Sequence, residues 1–281
     1  MDSIRVFGYE VRSDLLTQAE RDYLIGLPDK LPSVEWVWKE MDRIWAEQKL
    51  DNKLRSGEQL IGNYYSHPVW LMNGVFTMSD PASVFFRRAI SDFIKSGSFR
   101  SIADYGGGFG ELALTICKAI PDATVSVIEP YPSRVGLERL RKVENILVVS
   151  NINAGNYDVV IAQDVLEHVE DPVGLAFKLA SATNENGKVI FANCFYPVIQ
   201  CHLPATFHLR HTFAWVIRAL GLRYVGRIEG ATYAQVFERR GQLDLAMARR
   251  AEAISQQIAP VLNSAREVLR RTVLAWKGRS L

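Results

Sequence analysis

Cysteine is scarce in this 281-residue chain and badly spaced for chemistry: Cys117, Cys194 and Cys201 are an odd set with no C-x-x-C pair. Neither a disulfide framework nor a zinc module is expected, and a reducing cytoplasm is the compartment that fits. Long apolar runs are also missing. No stretch is uninterrupted enough to span a bilayer, and Met1-Asp2-Ser3-Ile4-Arg5 has neither the basic start nor the apolar segment of a signal peptide. Nor does one sign of charge dominate. The net charge is +2, and so neutral a body argues against nucleic acid as the main partner. The imbalance is confined to the end: from Gly241 onward seven basic residues meet three acids, so that stretch is +4 and the remainder −2.

A third glycine is missing where it would matter most. In Asp104-Tyr105-Gly106-Gly107-Gly108-Phe109-Gly110-Glu111 a short apolar run ends in an acid and glycines follow at alternate positions. Leu112 to Ala119 then reads as a helix stopped by Pro121. This is strand, glycine turn and helix start, where free N–H groups and a partial positive charge collect. The dinucleotide fingerprint G-x-G-x-x-G requires glycine at 111, which is Glu. A nicotinamide-dependent oxidoreductase is disfavoured for that reason.

The neighbouring pattern D-x-G-x-G-x-G is met in full by Asp104, Gly106, Gly108 and Gly110, and it resembles motif I of the class I S-adenosylmethionine (SAM) methyltransferases. The resemblance implies a Rossmann-like α/β fold: a doubly wound, mostly parallel seven-stranded sheet with an antiparallel last strand. The chain agrees in outline. Strands are expected at 101–104, 123–128, 145–149, 157–162 and 187–192, short β-branched runs alternating with helices as in a parallel sheet covered on both faces. Two further strands, Arg223 to Arg227 and Thr232 to Arg239, resemble the pair that closes such a sheet.

Three regions follow. Residues 1–98 read as a mostly helical cap that bears on the acceptor, with a helix capped by Ser33 and another opened by Pro81 and closed by Gly97. Residues 99–240 are the SAM-binding core. Residues 241–281 read as a helical extension with heptad-like apolar steps from Met247 to Thr272, which Pro260 should kink or break. That extension could pack on the N-terminal helices of its own chain, join two copies as a homodimer, or lie on a membrane surface; its polar face is not basic enough to favour the last.

Site residues are implied by the same resemblance. Asp104 faces the ammonium of the methionine moiety, Gly106, Gly108 and Gly110 cradle the cofactor, and Glu129, at the end of the second strand, accepts the ribose hydroxyls. Asn151 would contact adenine and Gln163 the cofactor through its backbone or amide. The segment Gln163-Asp164-Val165-Leu166-Glu167-His168-Val169-Glu170-Asp171-Pro172 looks like the D-x-L-E-H-x-x-D-P of the ubiquinone and menaquinone methyltransferase branch. Asp164 and His168, four apart, would share a helical face. Completed by an N-terminal tyrosine, here Tyr65, they would surround the reacting centre, with His168 as general base or else merely packed at the start of its helix. Tyr64, His67, His202 and His208 are expected in the acceptor pocket. A metal site among His202, His208 and His211 has no acid in its loop, and no metal is expected. These readings imply SAM as cofactor and methyl transfer to a hydroxyl of a sugar, glycan precursor or natural-product-like small molecule. N-methylation of a small amine and a catalytically silent SAM-binding protein are the alternatives.

Overall fold

The computed structural model describes residues 2–53, 58–152 and 157–277, with the backbone alone at 58–60 and 265–277. The chain opens with a hairpin rather than a helix. Strands β1 (Ser3–Val6) and β2 (Tyr9–Arg12) pair antiparallel across a two-residue turn, and Phe7 and Gly8 both have positive φ, 52° and 85°. Such a turn normally takes Asn-Gly, which is why it was hidden in the sequence. Phe7 accepts it because its ring is buried edge-on between Trp36 and Phe76.

Helices α1 (Gln18–Ile25), α2 (Val34–Glu47), α3 (Glu58–Tyr65), α4 (Pro68–Ser79) and α5 (Pro81–Ser96) follow. Their starts are set by side chains that satisfy orphan N–H groups. Thr17 and Glu20 form a capping box, Ser33 accepts from the Trp36 N–H, and Asp80 caps α5 ahead of Pro81. The aromatic segment Asn63–Trp70 is the junction of α3 and α4, with His67 as the N-cap of α4. Val37, Met41, Ile44 and Trp45 form the buried stripe of α2.

From Ser101 the α/β alternation holds: β3 (Ser101–Tyr105), α6 (Glu111–Ala119), β4 (Thr124–Ile128), α7 (Arg134–Leu140), β5 (Ile146–Val149), β6 (Tyr157–Gln163), α8 (Pro172–Ala182), β7 (Thr183–Ala192), α9 (Phe213–Ala219), β8 (Leu222–Ile228) and β9 (Ala231–Arg239). The seven-stranded sheet runs β5-β4-β3-β6-β7-β9-β8, with β9 antiparallel to both its neighbours. Alternate residues serve its two faces. Ile102, Val159 and Ile161 pack with Ile90, Ile94 and Ile116 on one side. Ala103, Val160 and Ala162 pack with Leu179, Phe213 and Val216 on the other. The strand order reverses between β3 and β6, and crevices at the carboxyl ends of strands open at such a switch point.

The final helix α10 (Leu245–Lys277) departs from the kink expected of it and from one of the three packings left open for it. It runs unbroken through Pro260. Pro260 and Gln256 are both exposed, so water can reach the carbonyl that loses its partner. It packs chiefly on α8, α9 and the 3-10 segment Pro204–Arg210 of the core, rather than on the N-terminal helices. Ala248, Ala251 and Ser255 are buried there, and Ser255 Oγ lies 2.5 Å from Thr212 Oγ1. The later apolar positions of the heptad pattern, from Ala265 on, fall outside the described side chains. Among the described residues no helix is long and apolar enough to cross a membrane.

Candidate active site

A cleft of about 780 Å³ opens beyond the ends of β3, β4 and β6 and is roofed by α3, α4 and the segment around Thr17 and Glu20. Its volume is that of a site for a small molecule. The glycine turn forms the floor. Gly110, at φ +78°, is the N-cap of α6, and a Cβ there would lie 2.3 Å from the Leu140 side chain, so conformation and space both require glycine. Gly108, at φ +52°, has open space where a side chain would stand, which leaves its backbone bare to a ligand. The Gly106 N–H ties the turn to the Ile128 carbonyl at 2.7 Å.

With glycine as N-cap, α6 has no capping side chain of its own. The Ala113 N–H of its first turn favours the charged form of Asp104, at the end of β3, against the effect of burial. Asp104 is 2 % exposed and its Oδ2 has no partner. Burial, with Glu129 nearby, holds this carboxyl up at about 7. Glu129 Oε2 accepts from the Gly108 N–H at 2.8 Å and Oε1 from the Tyr131 N–H at 2.9 Å. Each oxygen keeps a lone pair, and burial raises this carboxyl too. A buried orphan acceptor, a bare glycine backbone and a second carboxylate fit a ligand that carries both an ammonium group and hydroxyls.

The opposite wall is aromatic. Tyr65 stacks on Tyr131 with centroids 5.7 Å apart and planes 16° apart, lies 4.9 Å from Trp70, and meets the edge of His168 at 6.3 Å. Burial raises the Tyr65 phenol well above its usual range, so it stays protonated. Trp70 Nε1 is buried without a partner. His67 lines the cleft, but its Nδ1 accepts the Val69 N–H at 3.1 Å as a helix cap.

Asp164 and His168 both line the cleft, though not by sharing a helix face. Asp164 stands at φ +51°, its N–H held by the Ala192 carbonyl at 2.7 Å, and only a single 3-10 turn, Leu166–His168, follows. Strain of this kind in a non-glycine residue marks sites that the surrounding structure over-determines. Asp164 is open to the cleft yet walled in by protein, and lost solvation raises its carboxyl. His168 Nδ1 lies 3.0 Å from the Cys201 carbonyl, which can only accept, so Nδ1 carries the proton and Nε2 the lone pair. Burial, reinforced by His202, pulls the imidazole down to about 3 and keeps it neutral.

Other expected residues lie elsewhere. Tyr64 is fully buried in the N-terminal core against Trp45, with its hydroxyl toward the Met41 carbonyl at 3.4 Å. His208 is turned toward Glu252 of α10, Nε2 to Oε1 at 3.7 Å. His202 is buried behind His168, its ring 4.9 Å away. Asn151 is exposed beyond β5, and it does not line the cleft, whereas Gln163 does. Tyr131 and Phe109 were missed as wall residues. Tyr131 follows Glu129 by two positions, and that adjacency was the available signal.

The methyltransferase domain family matches residues 82–241, more than half of the chain. No curated protein sequence matches it. Among solved structures, human N-acetylserotonin methyltransferase in complex with SAM is similar at 15 % identity and TM-score 0.53, over 80 % of this chain and 75 % of that one. An O-methyltransferase family protein from Burkholderia thailandensis is similar at 14 % identity and TM-score 0.50, over 80 % and 77 %. The 1,6-didemethyltoxoflavin-N1-methyltransferase of Burkholderia thailandensis is similar at 11 % identity and TM-score 0.52, over 68 % and 94 %. At such identities these likenesses concern the fold. The match over the αβ core, together with the sheet order and the glycine turn, shows that the chain belongs to the methyltransferase domain family, among the class I SAM-dependent methyltransferases.

Proposed function

We propose that this enzyme methylates a hydroxyl of a sugar, glycan precursor or natural-product-like small molecule, with His168 as the base that receives the hydroxyl proton. The observation that carries the reading is the His168 tautomer: Nδ1–H is bound to the Cys201 carbonyl, so the remaining lone pair belongs to a half-buried imidazole at the cleft. Bound SAM supplies an electrophilic methyl carbon on a sulfonium. With the sulfur taking the carbon–sulfur pair as leaving group, His168 would receive the proton of the acceptor hydroxyl as its oxygen is methylated. A base weakened by burial suffices, because an oxygen that already bears the new methyl group is a far stronger acid than the starting alcohol.

In this reading Asp104 Oδ2 meets the cofactor ammonium, Glu129 accepts the ribose hydroxyls, and Gly106, Gly108, Gly110 and Gln163 complete the cradle. Asp164 holds the acceptor. Tyr65, Trp70 and Tyr131 give the acceptor ring a platform, shield the sulfonium from water and stabilise its charge. The free cysteines suit a cytoplasmic enzyme. A homodimer would form through the exposed row Met247, Ile254, Ile258 and Val261 of α10.

The test is transfer of a labelled methyl group from SAM to a panel of sugars, phenols and alcohols, by the parent and by His168→Ala. The variant should lose roughly 10²- to 10⁴-fold in kcat while keeping its affinity for the demethylated cofactor. An equal rate in the variant removes His168 as base. Transfer to amines alone would favour the N-methyltransferase reading, and SAM binding without transfer to either class the silent one.

A further inference from the structure

At His168 three groups from two separate segments converge, His168 itself among them. One ring nitrogen each of His168 and His202 and one carboxylate oxygen of Glu167 all lie within 4.8 Å of one another. The acid that the histidine-rich loop lacks is thus supplied from the loop after β6. Glu167 is fully buried. Its Oε1 accepts the Cys194 N–H at 2.7 Å, while Oε2 has no partner. Both imidazoles are oriented alike: His168 Nδ1 donates to the Cys201 carbonyl at 3.0 Å and His202 Nδ1 to the Tyr196 carbonyl at 2.9 Å, which leaves the second nitrogen of each with its lone pair. Metal-binding histidines are oriented in this way, through a carbonyl on the nitrogen that does not bind.

We infer that Glu167, His168 and His202 hold one divalent transition-metal ion at the wall of the cleft. Three ligands about 2.0–2.2 Å from a common ion stand roughly 3.3–3.8 Å apart, so atoms that lie within 4.8 Å of one another close by up to about 1.5 Å on binding it. Two imidazoles and one carboxylate favour Zn²⁺, Co²⁺, Fe²⁺ or Mn²⁺ over Mg²⁺ and Ca²⁺, which prefer all-oxygen sets. Of the three ligands His168 lines the cleft, so the ion enters past it. The inference rests on the hydroxyl reading and alters one part of it. In the metal-free protein His168 is the base. In the loaded protein its lone pair would be on the ion, whose positive charge would favour loss of the acceptor proton, and Asp164 in the same cleft would be the carboxylate that takes it.

The test uses full-length protein stripped with a chelator and titrated with Co²⁺, followed by its visible absorption bands. One Co²⁺ per chain should bind, and Glu167→Gln and His202→Asn should each weaken binding at least 100-fold, while His208→Asn, outside the cluster, should leave it unchanged. Near-ultraviolet circular dichroism checks that each variant is folded; Glu167→Gln keeps size and shape, and His202→Asn changes a different segment. Absence of the bands in the parent, or equal affinity in both variants, overturns the inference. Methyl transfer to a hydroxyl that proceeds as fast without the ion overturns its catalytic role. A bound ion with transfer to amines alone contradicts the hydroxyl reading and leaves the ion site in place.

Discussion

At the scale of single residues, the cofactor half of the site turns on a carboxylate that the fold holds at a cost. Asp104 has a folded pKa raised to about 7 from an ordinary 3.8. The folded chain therefore binds more protons than the unfolded chain between those values, and the stability this group contributes is lost as pH rises through about 7. In the proposed reading a cofactor ammonium on Oδ2 would reverse that cost, so cofactor affinity should rise over the same interval. Asp104→Asn should gain in melting temperature relative to the parent as pH is raised from 5 to 8. It should also lose roughly 10- to 100-fold in affinity at pH 8, the worth of a hydrogen bond to a charged group. Parallel melting curves at every pH, or unchanged affinity, would show that Asp104 is not an anion under the ligand. Position at the cleft was readable where a motif fixes the spacing, as for Asp104 and Glu129. The placement of Glu167 was not readable, since its pairing with His202 depends on how two loops 35 positions apart meet.

At the scale of elements, the legible parts were those with a period. Parallel strands buried on both faces appear as apolar runs, and a proline start and glycine stop mark a helix, so β3 to β7 and α5 could be placed from residue types alone. The β1–β2 hairpin was not legible, because Phe7 sits in its turn and tertiary packing overrides local preference. The unbroken α10 was misread for a similar reason: Pro260 faces solvent, where its missing bond costs least. One contact between elements is decisive for the site. Gly74 of α4 lies against Phe109 of the glycine turn, and a Cβ there would stand 2.5 Å from the ring. In an isolated helix Gly→Ala would gain about 1 kcal/mol. Here the overlap with a buried ring, worth about 1–3 kcal/mol, should win. Gly74→Ala should therefore melt several degrees lower, roughly 2–4 °C per kcal/mol for a chain of this order of size, and bind cofactor more weakly. A variant that melts higher with unchanged affinity would show that α4 does not press on the turn.

At the scale of the whole molecule, two layers meet at one crevice. The α/β core presents a glycine cradle and two carboxylates at its switch point, and the N-terminal helices cover them with Tyr65 and Trp70. The core half of this arrangement follows from a sequence pattern tied to backbone geometry. The cap half depends on shape, which is why Tyr64 was expected in the pocket and lies in the N-terminal core, and why the acceptor class remains the proposed part of the function. The most direct measurement is a calorimetric titration of the full chain with S-adenosylhomocysteine at pH 8, for the parent and for Glu129→Gln. One site with a dissociation constant in the micromolar range, weakened at least tenfold in the variant, is the predicted result; no heat of binding in the parent, or equal affinity in both proteins, would contradict the account.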